Sequence, residues 1–166
     1  MNISELLVPE FDHENAVTRE VLGRVPDDRG EWKPHPKAFA MGHLAQLVAR
    51  MPGWITMMLD HDELDIRPVG GPKSPGYSLE KTEALLAEFD RSVAAGRAAL
   101  LAATDEALEQ PWTLKAAGKV IRTDTRYQML RSTVLNHQVH HRAQLGMYLR
   151  LTDQKVPEMY GPTADE

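Results

Sequence analysis

The sequence predicts an all-α protein, a four-helix bundle with long crossover connections. Four long segments carry apolar residues at steps of three and four positions, which is the spacing of one face of a helix. No segment repeats elsewhere in the chain, and only one stretch, near residues 112–122, has the character of a poor hairpin. Helices with apolar faces bury those faces against one another. We therefore expect a single helical-bundle domain over residues 1–166.

The first two predicted helices each contain a proline. The first runs from Ile3 to about Val25, and Pro9 marks a break or a first turn, because proline has no amide donor. The second runs from about Ala38 to Asp60, and the pair Pro52-Gly53 falls inside it. This pair predicts a kink in the second helix.

The middle of the chain is predicted to hold a loop and the third helix. Residues from about His61 to Tyr77 are rich in proline, glycine and charge and have no period, which predicts a long surface loop. Ser78 is the expected N-cap of the third helix, which runs from Leu79 to about Ala103.

A hairpin and the fourth helix are predicted in the last third of the chain. The stretches Trp112–Leu114 and Lys119–Arg122 are expected to pair loosely, since two short strands alone are marginal. Asp124 or Thr123 is the expected cap of the fourth helix, from about Thr125 to Leu151. The long second and third connections permit crossovers in the bundle.

The composition narrows the class of function. Hydrophobic residues make up 42% of the chain and charged residues 26%, as in ordinary globular proteins. The formal net charge of -5 and the lack of any basic run argue against nucleic-acid binding. Without cysteine the chain has no disulfide, thiolate metal ligand or cysteine nucleophile. No secretory signal or membrane-length apolar run is visible, so we expect a cytoplasmic protein without a membrane partner.

Three histidines within five residues stand out near the C-terminus. His137 and His141 lie one turn apart on the apolar stripe of the fourth helix, whereas His140 points about 100° away. Buried imidazoles require either polar partners or a metal ion, and both explanations stay open from spacing alone. No glutamate follows His137, so the zincin arrangement is absent and a third ligand must come from elsewhere. His43 on the second helix is the candidate.

Several separated motifs together resemble the DinB-like (damage-inducible) family. The segment Asn136–Leu145, which reads NHQVHHRAQL, is similar to the last helix of that family. The segment Trp32–Lys37, the pair Leu44-Ala45, the run Pro52–Trp54 and the tail Val156–Glu166 resemble it as well. The resemblance extends over almost the whole chain.

The resemblance implies a function and a set of ligands. It implies a four-helix bundle, often dimeric, with a divalent metal held by three histidines, one from the second helix and two from the last. Relatives include thiol-dependent transferases and isomerases that use bacillithiol, mycothiol or glutathione, whose thiol the metal activates. The expectation is a metal-dependent hydrolase or thiol-dependent S-transferase that acts on a small molecule as a homodimer. His43, His137 and His141 would hold Zn²⁺ or Ni²⁺, and a low-molecular-weight thiol would be the cosubstrate.

The second helix departs from the family pattern. Family members read Leu-Ala-x-His, and alignment on Leu44-Ala45 places the expected histidine at position 47, where this chain has Leu47. His43 lies one turn earlier and is offset by about 40° around the helix axis. The alternative is therefore a metal-free DinB-like protein that binds a small molecule or serves as a dimeric scaffold.

Overall fold

The computed structural model describes residues 2–71, 77 and 81–165. Within them the chain is mostly helical, as predicted, and it also contains three short strands. The helices, in chain order, are α1 (Ile3–Leu22), α2 (Met41–Arg50), α3 (Trp54–Asp60), α4 (Thr82–Ala102), α5 (Asp105–Glu109), α6 (Arg126–Leu130) and α7 (Asn136–Leu151). The strands are β1 (Glu63–Asp65), β2 (Pro111–Ala116) and β3 (Lys119–Thr125). No helix in these ranges has both the length and the apolar character needed to cross a membrane.

Pro9 and Pro52, the two prolines expected to interrupt helices, have opposite effects on them. Helix α1 continues through Pro9 without a break, so the expected interruption there is wrong. Pro9 lies on the exposed face, where water can satisfy the carbonyl that loses its amide partner. Pro52 does interrupt the second predicted helix, as expected: the 3₁₀ turn Met51–Gly53 separates α2 from α3. The expected N-cap Ser78 and the expected first residue of the third helix, Leu79, lie outside the described residues.

The all-α expectation is wrong, because a three-stranded sheet is present. Strands β2 and β3 form an antiparallel hairpin, and β1 pairs in parallel with β2. The segment that forms β1 was expected to be loop, since a strand of three residues is too short to show an alternating pattern. The Asp65 carboxylate accepts hydrogen bonds from the amides of Ala117 (3.0 Å) and Gly118 (2.7 Å) in the hairpin turn. A side chain far away in sequence therefore stabilises the hairpin.

The last predicted helix is divided by a π turn, Arg131–Leu135, between α6 and α7. The amide of Asn136 bonds to the carbonyl of Arg131, five residues earlier, instead of four. The N-cap is Thr125, whose hydroxyl accepts from the amide of Gln128, and not the expected Asp124 or Thr123. The π turn changes the direction in which every later side chain of the helix points.

Helix α4 packs against α1, α2 and α3, and α7 packs against α1 and α2. The buried apolar side chains form two clusters. The first lies between the C-terminal half of α1, α2, the start of α4 and the end of α7, and includes Leu22, Leu44, Phe89 and Leu149. The second lies between the N-terminal half of α1, α3, the end of α4, α5, the sheet, α6 and the π turn. It includes Phe11, Ile55, Trp112 and Val134. The residues between the two clusters on α7 include the histidines.

Candidate functional site

His137 and His141 face each other on α7, as their spacing predicts. Their ring centroids are 4.6 Å apart, and the two Nε2 atoms are separated by only 2.9 Å. His141 is buried, whereas His137 is half-buried and lines a cavity. The expected meeting of the two rings on one face is confirmed, but the rings lie at the edge of the core and not in its centre.

The other nitrogen of each ring has its own partner. His137 Nδ1 lies 3.3 Å from the carbonyl oxygen of Thr133, which belongs to the π turn. His141 Nδ1 lies 2.8 Å from the side-chain oxygen of Gln144. The amide nitrogen of Gln144 is 3.1 Å from His140 Nε2 and can donate only if that ring nitrogen accepts. This network orients the Gln144 amide so that its oxygen faces His141.

With the oxygen of the Gln144 amide toward His141, the contacts assign one tautomer to each ring. A carbonyl oxygen can only accept, so both Nδ1 atoms carry the proton that they donate to Thr133 and Gln144. If both rings are neutral, each Nε2 atom then carries a lone pair. The two Nε2 atoms lie 2.9 Å apart, and their lone pairs point at each other. In this arrangement a second proton on one ring, or a bound cation, can lie between the two lone pairs. Histidines that ligate metals typically donate their other N–H in this way.

Burial disfavours a second proton on either ring. Desolvation lowers the pKa of His137 and of His141 below the ordinary histidine value, although the hydrogen bonds to Thr133 and Gln144 act in the opposite direction. A lowered pKa keeps both rings neutral at pH 7, and neutral rings are what a metal ion requires. The donor chemistry of the pair therefore fits a divalent metal.

His43, the third expected ligand, has different neighbours. Its ring is stacked between Phe39, with centroids 4.3 Å apart, and Tyr77, at 4.2 Å. Burial lowers the pKa of His43 as well. Among the described residues no group of three or more histidine, aspartate or glutamate side chains is placed to hold a metal ion. The structure thus brings His137 and His141 together and leaves His43 in an aromatic stack.

Leu47 lies where the family pattern has a histidine, and it shares a cavity with His137. The cavity has a volume of about 730 Å³ and opens between α2, α3, the sheet and the π turn. Its wall is mainly apolar. The lining residues include Leu47, Arg50, Trp54, Asp65, Tyr77, Trp112 and His137. A side chain at position 47 therefore reaches the space beside the histidine pair, and here that side chain has no ligating atom.

Two polar residues of α7 are buried; a salt bridge within the bundle was expected for Arg142 and is confirmed, whereas Gln138 was not found from the sequence. Gln138 and Arg142 are almost completely buried, and they occupy the core-facing positions next to the two histidines. Gln138 donates to Asn15 (2.9 Å), and Arg142 forms an ion pair with Glu14 (2.7 Å). The predicted stripe is buried as well, at Leu130, Val134, His141, Leu145 and Tyr148, so the buried face of this helix is wider than the stripe and includes Gln138 and Arg142 beside it.

Comparisons with known proteins show which family and which structures this chain resembles. The model of the DinB family matches residues 1–166. A DinB-like protein from Bacillus cereus ATCC 10987 has a similar structure, with a TM-score of 0.71 and 20% identity over 96% of this chain and 98% of that one. A DinB-like protein from Bacillus subtilis has a TM-score of 0.69 and 16% identity over 95% and 99%. No curated protein matches. From the match over its whole length, we conclude that the chain belongs to the DinB family.

Proposed function

We propose that this protein is a metal-dependent enzyme of the hydrolase or thiol S-transferase kind. The observation that carries the metal site is the geometry of the pair: the Nε2 atoms of His137 and His141 lie 2.9 Å apart, and their Nδ1 atoms lie beside the oxygens of Thr133 and Gln144. The reaction class rests on the family alone. Imidazole ligands suit Zn²⁺ and Ni²⁺ equally well, so either ion is a candidate.

The chain's own residues would orient the ligands and enclose the substrate. Thr133 and Gln144 hold the two rings in one tautomer and one orientation. The cavity beside His137 offers a mainly apolar wall for a small substrate. A divalent metal bound there would lower the pKa of a water molecule or thiol, so that it is a nucleophile at neutral pH.

Replacing His141 by Ala should abolish tight metal binding. The variant keeps only one of the two ligands, so we expect Zn²⁺ affinity to fall by about 100-fold or more. The measurement is competition for Zn²⁺ with a chromophoric chelator, using protein purified without a histidine tag. His140→Ala is the matched control and should cost less than about tenfold, because His140 meets the site only through the Gln144 amide nitrogen and an edge contact with the His141 ring, at 4.9 Å between centroids. No Zn²⁺ or Ni²⁺ uptake by the unmodified chain would refute the metal site.

Replacing Leu47 by His should strengthen metal binding. Leu47 shares the cavity with His137, so a histidine there can supply a third ligand. We expect Zn²⁺ affinity to rise at least about tenfold in the same competition assay, which corresponds to about 1.4 kcal/mol. His43→Ala tests the other candidate and should leave the affinity unchanged, because His43 is held between Phe39 and Tyr77. A loss of affinity in His43→Ala would show instead that His43 is the third ligand.

A specific observation favours a second candidate, a metal-free small-molecule-binding protein or dimeric scaffold. Leu47 leaves the pair without its third partner, and no group of three ligating side chains occurs in the described ranges. In this case one histidine of the pair takes a second proton at low pH, and His137→Ala changes stability without changing metal content.

The remaining features of the proposal rest mainly on the family. They are a four-helix bundle, a homodimer, a low-molecular-weight thiol as cosubstrate, a small-molecule substrate and a cytoplasmic location. The packing of α4 on α1, α2 and α3, and of α7 on α1 and α2, supports the bundle. The net charge of -5 supports a small molecule over a nucleic acid as the partner.

A further inference from the structure

A second, smaller cavity lies on the His141 side of the histidine pair. It has a volume of about 360 Å³, and its wall includes Lys37, Phe39, His141, Gln144, Met147 and Tyr148. The large cavity has His137 in its wall instead, and among the described residues no side chain lines both cavities. Because the Nε2 atoms of His137 and His141 are only 2.9 Å apart, the two cavities reach the histidine pair from different sides.

A stack of aromatic rings extends this separation. The His43 ring lies between the rings of Phe39, at 4.3 Å, and Tyr77, at 4.2 Å. Phe39 belongs to the wall of the small cavity, and Tyr77 belongs to the wall of the large one. His43 is therefore part of a partition between the cavities, so a molecule in one cavity leaves the other free.

The two cavities differ in the charge that they offer a ligand. In the large cavity Arg50 donates to Glu88 at 2.6 Å, and Asp65 accepts from the backbone amides of the hairpin turn. In the small cavity Lys37 is the one lysine, arginine or carboxylate side chain of the described wall, and its ammonium has no ion pair with a described residue. An anion therefore gains a free partner in the small cavity, whereas the large cavity suits a neutral molecule.

The small cavity also has apolar surface that a ligand can cover. Phe39 is 44% exposed and Met147 is 59% exposed, and both lie in its wall beside Lys37. Covering exposed apolar surface is favourable, since it removes that surface from water. The small cavity thus offers one positive charge next to two apolar side chains.

We propose that the protein binds two small molecules at once, one on each side of the histidine pair. The small cavity takes a monocarboxylate, whose oxygens accept from Lys37 Nζ and whose apolar part covers Phe39 and Met147. The large cavity takes a neutral, mainly apolar molecule. This inference rests on the proposed function for the reaction, and it favours the S-transferase kind, which binds two organic molecules, over the hydrolase kind, which binds one.

Two matched ligands test the small cavity. 3-Phenylpropionate and 3-phenylpropanamide have the same skeleton and differ in charge. NMR titration of chelator-treated protein with ¹³C-methyl-labelled methionine locates each ligand, because Met147 lines the small cavity and Met57 the large one. We expect 3-phenylpropionate to shift the Met147 methyl resonance and to leave that of Met57 in place.

Replacing Lys37 by Gln separates charge from shape. We expect the variant to weaken 3-phenylpropionate about fivefold, the upper range for an exposed ion pair, and to change the affinity for the amide less than about twofold. Lys119→Gln is the matched control, because it removes the same charge from a lysine of β3 that lines neither cavity. It should leave both affinities unchanged.

Indole, a neutral aromatic molecule, tests simultaneous binding. It should shift the Met57 methyl resonance, and the affinity for 3-phenylpropionate should stay within about twofold when indole saturates the large cavity. The proposal is overturned if either molecule fails to shift its own methionine, if the two compete, or if Lys37→Gln weakens the acid and the amide equally. Independent binding of both in protein that takes up no Zn²⁺ would support this inference and refute the metal site, whereas Zn²⁺ uptake without such binding would do the reverse.

Discussion

Replacing Arg142 by Ala is expected to lower the free energy of unfolding by about 3–5 kcal/mol, the usual cost of removing one partner from a buried ion pair. The Arg142 side chain is 1% exposed and lies 2.7 Å from the Glu14 carboxylate. It also donates to the Glu14 carbonyl (2.9 Å), the Thr18 hydroxyl (3.1 Å) and the Tyr160 hydroxyl. The variant would leave the Glu14 carboxylate largely buried without its cation. Urea denaturation followed by circular dichroism measures the change.

The control for Arg142 is Arg97 of α4, because the carboxylate partners of both arginines lie on α1. Arg97 pairs with Asp12 through two hydrogen-bonded nitrogens, but both side chains are more than two-fifths exposed. Arg97→Ala should therefore cost less than about 1 kcal/mol. Tyr160→Phe should cost about 1 kcal/mol, because it removes only the hydroxyl between Arg142 and Glu14. Equal losses in the Arg142 and Arg97 variants would contradict the importance of burial.

Gly96→Ala is expected to destabilise the protein by about 1–3 kcal/mol, the range for overpacking, although alanine is favoured over glycine within a helix by about 1 kcal/mol. Gly96 lies in α4 where this helix crosses the turn after α2. A Cβ atom at Gly96 would lie 2.3 Å from the carbonyl oxygen of Pro52, and 3.3 Å from the Phe11 ring. The obstructing atom is backbone, so the two elements must move apart.

The control for Gly96 is Gly53, which lies in the turn after α2 that Gly96 contacts. A Cβ at Gly53 would meet only Ser92, at an ordinary distance of 3.6 Å, and the backbone there is right-handed helical. Gly53→Ala should therefore be neutral or stabilising by up to about 1 kcal/mol. Thermal unfolding of the two variants beside the unmodified chain gives the comparison. A stabilised Gly96→Ala would show that α4 and the turn are free to separate.

The helices were largely predictable, because helical periodicity is a local property that packing reinforces. The interruption at Pro52 was also predictable from a local property, because a proline has no amide hydrogen to donate to the helix. Strand β1 was not, because its three residues form a strand only by pairing with β2. The continuation of α1 through Pro9 was not predictable. It depends on the exposed position of Pro9, where solvent replaces the lost hydrogen bond, and exposure is not visible in the sequence.

By itself, the sequence determined that two histidines of the last helix meet on one face, because side chains four residues apart on a helix are neighbours. The tertiary structure decided what surrounds them. Gln138 and Arg142 take buried positions beside the pair, and the oxygens of Thr133 and Gln144 lie against its Nδ1 atoms. Leu47 and the Trp112 indole lie at the same cavity because distant elements pack there. Such contacts depend on the relative placement of helices and sheet, which no local pattern encodes.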